Sequence, residues 1–220
     1  MIFELDNVEL YFKNKRILNG IYLKSQTGMV TGILGSNGSG KSCLLEILFG
    51  NLKPKYHLVR IDNTPYLKPL YQSNKVAYLP QYQLIPKFFK VKAAFKHYEV
   101  DWDTFIALFD GFTQYANKRF KDLSGGERRL IETYLILKKR SELIILDEPF
   151  SHLEPIHTEA VMKLIIKEKQ SKAVIVSDHR YQTIIDLSDS LYLLKNGCTK
   201  EIKDLKELED YNYLNEGQLI

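Results

Sequence analysis

The chain has 220 residues, 45% of them hydrophobic and 26% charged, with a formal net charge of +4 at pH 7. That balance excludes a disordered chain and allows one domain with a substantial core. Basic and acidic residues are interspersed along it, which argues for a solvated surface over a nucleic-acid groove, and no nucleic acid is expected as a partner. The two cysteines, Cys43 and Cys198, lie far apart with no CxxC pattern and no neighbouring His, so a reducing compartment is expected and a structural zinc is not. Met1 to Asp6 carries acids where a secretory leader carries a basic segment, and no run approaches the ~20 apolar residues that span a bilayer. A soluble, cytoplasmic chain is therefore expected, any membrane role coming through a partner.

The chain opens with alternation. Ile2, Leu5, Val8 and Leu10 are separated by polar residues, and Ile17, Ile21 and Leu23 resume the pattern after a polar turn at Lys13 to Arg16. This predicts antiparallel strands with one wet face. Met29 to Leu34 is a buried strand, and the stretch Gly35-Ser36-Asn37-Gly38-Ser39-Gly40-Lys41-Ser42 follows it, with a helix over Lys41 to Phe49. It matches GxxxxGK[ST] at every fixed position. Glycines let such a loop wrap closely and turn its backbone N–H groups inward, toward phosphate oxygens at the positive end of the helix. Lys41 would reach the β- and γ-phosphates, and Ser42 would offer its hydroxyl to Mg²⁺.

Leu52 to Leu70 reads as hairpins and loops, and Val76 to Leu79 as a short buried strand stopped by Pro80 and followed by Gln81. Val91 to Tyr98 suits one helix. A second is expected with Asp103 as its cap and Phe105, Leu108, Phe109 and Phe112 at helical spacing, an aromatic stripe that reads as core or as a docking surface. Glu127 to Lys139 is a helix burying Leu130, Ile131, Tyr134 and Leu137. Leu143 to Leu146 and Ala173 to Val176 are continuous apolar runs that suit central parallel strands. Pro155 fits the first turn of a helix reaching about Lys169, with Glu154 or Ser151 near its start, and Arg180 to Leu187 is a short helix. Leu191 to Leu194 and the residues after Asn196-Gly197 form a closing hairpin. Strands alternating with helices after residue 28 predict an α/β sheet with the phosphate loop at a strand's C-terminal end.

Asp147 and Glu148 end the strand at Leu146 and point toward the same crevice as the phosphate loop. Asp147 is placed to hold Mg²⁺, and Glu148 to polarise an attacking water as general base. Leu123-Ser124-Gly125-Gly126-Glu127 supplies a hydroxyl and glycines at a helix start, a second anion site. One nucleotide's phosphates already have the first loop, so this site is economical if it serves a nucleotide held by another copy.

On these residues the chain resembles the nucleotide-binding domain of ABC-type ATPases, over nearly its whole length and in the right order. Gly35 to Ser42 is similar to the Walker A loop, Ile144 to Glu148 to Walker B, and Leu123 to Glu127 to the family signature. Gln81 resembles the Q-loop glutamine, which in the family touches Mg²⁺ and senses the γ-phosphate. Ser151 to Glu154 falls on the D-loop, and His179 on the switch histidine. Phe12 resembles the aromatic that stacks on adenine, with Tyr11 as the other candidate.

The resemblance implies a P-loop NTPase core with a mostly parallel sheet, an N-terminal antiparallel β subdomain and a short helical subdomain at about 82–125, all within one domain, 1–220. It implies ATP and Mg²⁺, with Ser42, Gln81 and Asp147 toward the metal. Two copies would close head to tail over ATP, each nucleotide between one copy's phosphate loop and the other's Ser124 to Gly126. A polytopic membrane permease on a separate chain would be driven by that cycle, with this chain peripheral on the inner face of the membrane. A soluble ABC ATPase acting in assembly, as in iron–sulfur cluster assembly, or as an adaptor is the other expectation. The sequence departs from the family at Cys43, where a second hydroxyl residue is usual near the α-phosphate. A thiol there is either packed and inert or, at a helix start, lowered in pKa and oxidisable. His152 and Glu154 depart within the D-loop.

Overall fold

The structure, a computed structural model, describes residues 1–215; residues 216–220 of the expected domain lie outside them. Strands β1 (Ile2–Phe12) and β2 (Lys15–Gln26) form the predicted antiparallel pair, followed by β3 (Val30–Leu34) and α1 (Lys41–Phe49). Then come β4 (Tyr56–Ile61), β5 (Thr64–Pro65) and β6 (Val76–Leu79), and the helices α2 (Val91–His97) and α3 (Trp102–Leu108). Helix α4 (Gly125–Lys138), β7 (Leu143–Asp147), α5 (Pro155–Glu168), β8 (Ala173–Ser177) and α6 (Tyr181–Leu187) complete the alternating part. The chain closes with β9 (Ser190–Lys195), β10 (Cys198–Ile202) and the single turn α7 (Glu207–Asp210).

Among the described residues the strands form two sheets, β2-β1-β4-β5 and β10-β9-β3-β8-β7-β6. In the larger sheet β9, β3, β8, β7 and β6 run parallel and only β10 is antiparallel. Its continuous apolar strands are buried on both faces, and the side-chain period of two sends alternate residues to opposite sides. Ile144 and Leu146 join a core built with α2 to α6, while Leu143 and Ile145 join a core built with α1 and the antiparallel sheet. The sheet is therefore the partition between two cores, and the parallel strands bring Leu34, Leu79, Asp147 and Ser177 to the same edge.

Two sequence expectations are corrected in the helical segment, and one left open is decided. The cap of α3 is Asp101, whose carboxylate accepts the Thr104 N–H at 2.7 Å; Asp103 sits inside the first turn. The helix stops at Leu108, which is exposed, and 3₁₀ turns carry the chain on through Phe112. The aromatic stripe is core and not a docking surface: Phe105, Phe109 and Phe112 are buried and pack with Phe95, Trp102 and Tyr134 at ring separations of 4.9–6.3 Å. Aromatic edges meeting faces in this way fill the space between short helices that have few aliphatic side chains of their own.

Candidate active site

The loop from Gly35 to Gly40 leaves the C-terminal end of β3 and delivers Lys41 to the first position of α1. Gly40 holds φ at 104°, a left-handed conformation that costs glycine nothing and turns the chain into the helix. Lys41 is buried, and its Nζ donates to the carbonyls of Gly35 at 2.6 Å and Ser36 at 3.2 Å. Burial lowers its pKa, against the pull of Glu148, Asp147 and Asp178. The ammonium thus lies along the inside of the loop, with Ser36, Asn37 and Gly38 exposed above it and Ser39 half-buried.

A cleft of about 740 Å³ opens over this loop, and its walls collect most of the predicted residues. Phe12 and Ile17 form one side, Asn37, Gly38, Gly40, Lys41, Ser42 and Cys43 the floor, and Gln81, Glu148 and His179 the other side. Phe12 is half exposed and offers an apolar face; Tyr11 instead bonds Glu9 through its hydroxyl at 2.5 Å and does not line the cleft. The Cys43 thiol is half-buried and burial raises its pKa, so the oxidisable low-pKa reading of this position is corrected. The helix start does not compensate for the lost solvent.

Asp147 lies beneath the floor, fully buried. Its Oδ1 accepts the Ser177 hydroxyl at 2.8 Å, while its Oδ2 is buried with no hydrogen-bond partner. Burial raises its pKa, opposed by the hydroxyls of Ser42 and Ser177 beside it. An orphaned carboxylate oxygen next to a serine hydroxyl, beneath a phosphate loop, is the donor set that Mg²⁺ takes, so these residues fit the ion. Glu148 follows in the left-handed region at φ 55°, a strained conformation for a side chain of its size, held by its N–H on the Ser177 carbonyl at 2.7 Å. Its Oε2 accepts the Ser151 hydroxyl at 3.1 Å. His179 is half exposed, and its Nδ1 lies 3.1 Å from Asp178, whose buried carboxylate also accepts the N–H groups of Phe150 and Arg180.

Ser124, Gly125 and Gly126 are not part of that cleft. Gly125 lines a second, smaller cavity of about 320 Å³ that shares Gln81 and Glu148 with the first and adds His152 and Ser151. Ser124 caps α4 through a reciprocal pair of bonds with Glu127, whose side chain also takes the Tyr115 hydroxyl. At Gly126 a Cβ would overlap the His152 carbonyl oxygen, so glycine is required there by the close approach of the D-loop segment within the same chain.

Three buried residues that hold this site together were not singled out from the sequence. Arg129 donates to the carbonyls of Pro80 at 2.8 Å, Glu148 at 3.0 Å and Asp147, and lies 4.0 Å from Glu132. Glu132 accepts the N–H groups of Leu84 and Ile85 at 3.0 and 2.9 Å. Helix α4 thereby grips both flanks of Gln81 and the end of β7. Burial lowers the Arg129 pKa and raises that of Glu132, each resisted by the other's charge. The signal was two opposite charges three residues apart on a helix otherwise burying Leu130, Ile131 and Tyr134. Asp178 is the third, and its mark is a carboxylate directly following a continuous apolar strand.

Residues 18–151 match the family profile described as ABC transporter. An uncharacterized ABC transporter ATP-binding protein of Methanocaldococcus jannaschii is 31% identical over 212 residues, covering 90% of this chain and 84% of the relative. The energy-coupling factor transporter ATP-binding protein EcfA of the same organism is 30% identical over 223 residues, covering 90% and 80%. A solved structure titled as the ATP-binding subunit of an ABC transporter superposes with a TM-score of 0.83 over 98% of this chain and 95% of that one, at 18% identity, which speaks to the fold. The cleft over a GxxxxGK[ST] loop, the sheet that carries it and these relatives agree: the chain belongs to the ABC transporter family, as an ATP-binding, ATP-hydrolysing subunit.

Proposed function

We propose that this chain holds MgATP in the cleft over Gly35 to Ser42, hydrolyses it as one half of a head-to-tail pair, and drives a membrane permease carried on a separate chain. The observation that carries this reading is the convergence of Phe12, Lys41, Ser42, Gln81, Glu148 and His179 on one cleft. Phe12 stacks on the adenine. Lys41 and the N–H groups of Gly35 to Gly40 cradle the β- and γ-phosphates. Ser42, Asp147 and Gln81 would hold Mg²⁺, which when bound would supply positive charge to offset that of the phosphates. Glu148 takes the proton of the attacking water as the oxygen bonds to Pγ and the bond to the bridging oxygen of ADP breaks. His179, oriented by Asp178, meets the γ-phosphate. Ser124 to Gly126 serve the nucleotide of a second copy, which accords with their lying outside the cleft of their own chain. Cys43 flanks the α-phosphate position without the hydroxyl usual there.

The relatives named for transport support a permease partner and attachment to the inner face of the membrane through it; among the described residues no helix is long and apolar enough to cross a bilayer. The decisive experiment uses Glu148→Gln with ATP and Mg²⁺. A stable dimer on size exclusion with turnover abolished is expected. Parent-rate hydrolysis would remove Glu148 from the role of base, and a strictly monomeric ATP complex would remove the head-to-tail pair. Copurification from detergent-solubilised membranes with a polytopic partner is expected; a wholly soluble partner set would instead favour the assembly or adaptor role.

A further inference from the structure

Among the described residues, six lysines outside the cleft sit in ion pairs. Lys55 meets Glu9, Lys75 meets Glu142, Lys138 and Lys172 share Glu168, Lys169 meets Asp189 and Lys200 meets Glu207. One region gathers cations with no acid between them. Segments 86–92 and 116–121 contain no Asp or Glu, yet carry Lys87, Lys90, Lys92, Lys118, Arg119 and Lys121. The fold brings the two segments side by side through backbone bonds from Val91 to Lys118, Lys92 to Ala116, Phe120 to Phe89 and Lys121 to Lys87.

The pairing brings two of the charges to one face. Lys90 and Arg119 are partners in an antiparallel bridge, while their neighbours Phe89 and Phe120 pack into the core cluster. Successive side chains point to opposite faces, so the inward phenylalanines, Phe120 buried and Phe89 half-buried, turn Lys90 and Arg119 outward. Both are exposed, as are Lys87, Lys118 and Lys121, and none of these five makes an ion pair among the described residues. Like charges placed directly opposite across a ladder are destabilising; of the carboxylates nearby, Asp122 is taken by the Arg119 N–H at 3.1 Å and Glu127, which feels the charge of Lys118, by the Tyr115 hydroxyl. Beside them the Phe88 ring is 70% exposed.

We infer that this face is a docking surface for an anionic lipid bilayer. Clustered cations beside a projecting aromatic ring are the means by which a soluble surface settles at a headgroup layer, the ring entering the acyl boundary while the cations stay among the phosphates. Lysine dominates the cluster. Its ammonium is a hydrated point charge on a flexible stem that suits a fluid array of headgroups, whereas fixed recognition of nucleic-acid phosphate or paired carboxylates favours the planar fork of arginine. The inference stands apart from the transport reading: it needs the exposed face alone, and no permease, nucleotide or second copy.

The test is sedimentation of the purified full chain with vesicles of phosphatidylcholine alone and of phosphatidylcholine with phosphatidylglycerol in equal parts. Binding to the anionic vesicles only, weakening as salt shortens the screening length, is expected. Each cation removed should weaken it by about fivefold, so the Lys90→Glu, Arg119→Glu pair, which removes and reverses two, should abolish it. Phe88→Ala should weaken binding even at low salt. ATP turnover in solution and the melting temperature should stay at parent values in all three variants, which separates loss of docking from loss of fold. Equal binding to both vesicle types, anionic binding untouched by the paired reversal, or displacement of the protein from vesicles by single-stranded RNA at the same charge concentration would each overturn the assignment.

Discussion

Arg129 is the side chain on which the site's geometry most depends, and replacing it with methionine isolates its role. Methionine keeps the length and apolar stem but has no donor. Three carbonyls, those of Pro80, Asp147 and Glu148, then lose their partner inside the protein, and Glu132 loses the cation 4.0 Å away. An unpaired buried polar group costs about 1–3 kcal/mol, and partial relaxation among three neighbours brings the expected total to about 3–6 kcal/mol. That is a large share of the ~5–15 kcal/mol that holds a domain together. With an m value of about 2–3 kcal/mol per molar urea, the unfolding midpoint should fall by about 1–3 M. Arg129→Lys keeps a charge near Glu132 but offers one compact donor group in place of the fork, and should lose about half as much.

The kinetic signature separates positioning from simple loss of fold. Phosphate-loop contacts do not involve Arg129, so KM for ATP should stay within about threefold, while kcat falls by about tenfold to a hundredfold as Gln81 and Glu148 lose their backbone anchors. A double-mutant cycle with Glu132→Gln should show a coupling of about 1 kcal/mol or more, because the two side chains share one network. Arg129→Lys with the parent midpoint and the parent kcat would refute the reasoning, since it would show that the three carbonyls need no common donor.

Two other substitutions have signed outcomes. Gly126→Ala should lower stability by about 1–3 kcal/mol through its clash with the His152 carbonyl, whereas Gly125→Ala, whose Cβ would sit 3.7 Å from the His152 ring, should melt at or above the parent temperature; the reverse order would contradict the packing. Glu168→Gln should cost about 1–3 kcal/mol at pH 7, because the carboxylate accepts from Lys138 at 2.7 Å and Lys172 at 2.8 Å. Burial alone would raise the pKa of Glu168, but the two lysines outweigh it and hold it below the ordinary 4.5. Its contribution is therefore present above that value and is lost as pH falls through the depressed one, so urea titrations should show the gap between parent and variant closing in acid.

The fold was legible where one signal dominated. Continuous apolar runs such as Leu143 to Leu146 and Ala173 to Val176 have only one economical place, a sheet covered on both faces, and α1 starts at Lys41 because the glycine-rich loop can go nowhere else. Boundaries failed where two carboxylates competed. Asp101 and Asp103 both suit a cap, and the choice falls to which one the Thr104 N–H can reach. The aromatic stripe was ambiguous because spacing says which residues share a face and not what covers it; Tyr134 from α4 does so here. Arg129 and Glu132 escaped notice for a different reason. Their partners are backbone groups of Pro80, Leu84, Ile85, Asp147 and Glu148, and a carbonyl leaves no mark in a sequence.

The partition of the molecule by its large sheet has a mechanical consequence. Phe12, Ile17 and helix α1 ride on the core shared with the antiparallel sheet, so a base and phosphates bound as proposed would be moored to that side. Helix α4, through Arg129 and Glu132, belongs to the opposite core and has hold of Gln81's flanks and of Glu148. A nucleotide held in the proposed cleft would bridge two cores that share the sheet as their wall, like work held between an anvil and a jaw. Loosening the anvil side should register as weaker grip on ATP, and loosening the jaw side as slower turnover at undiminished grip. A substitution's effect on KM or on kcat would then report which side of the sheet it lies on, even for residues far from the cleft.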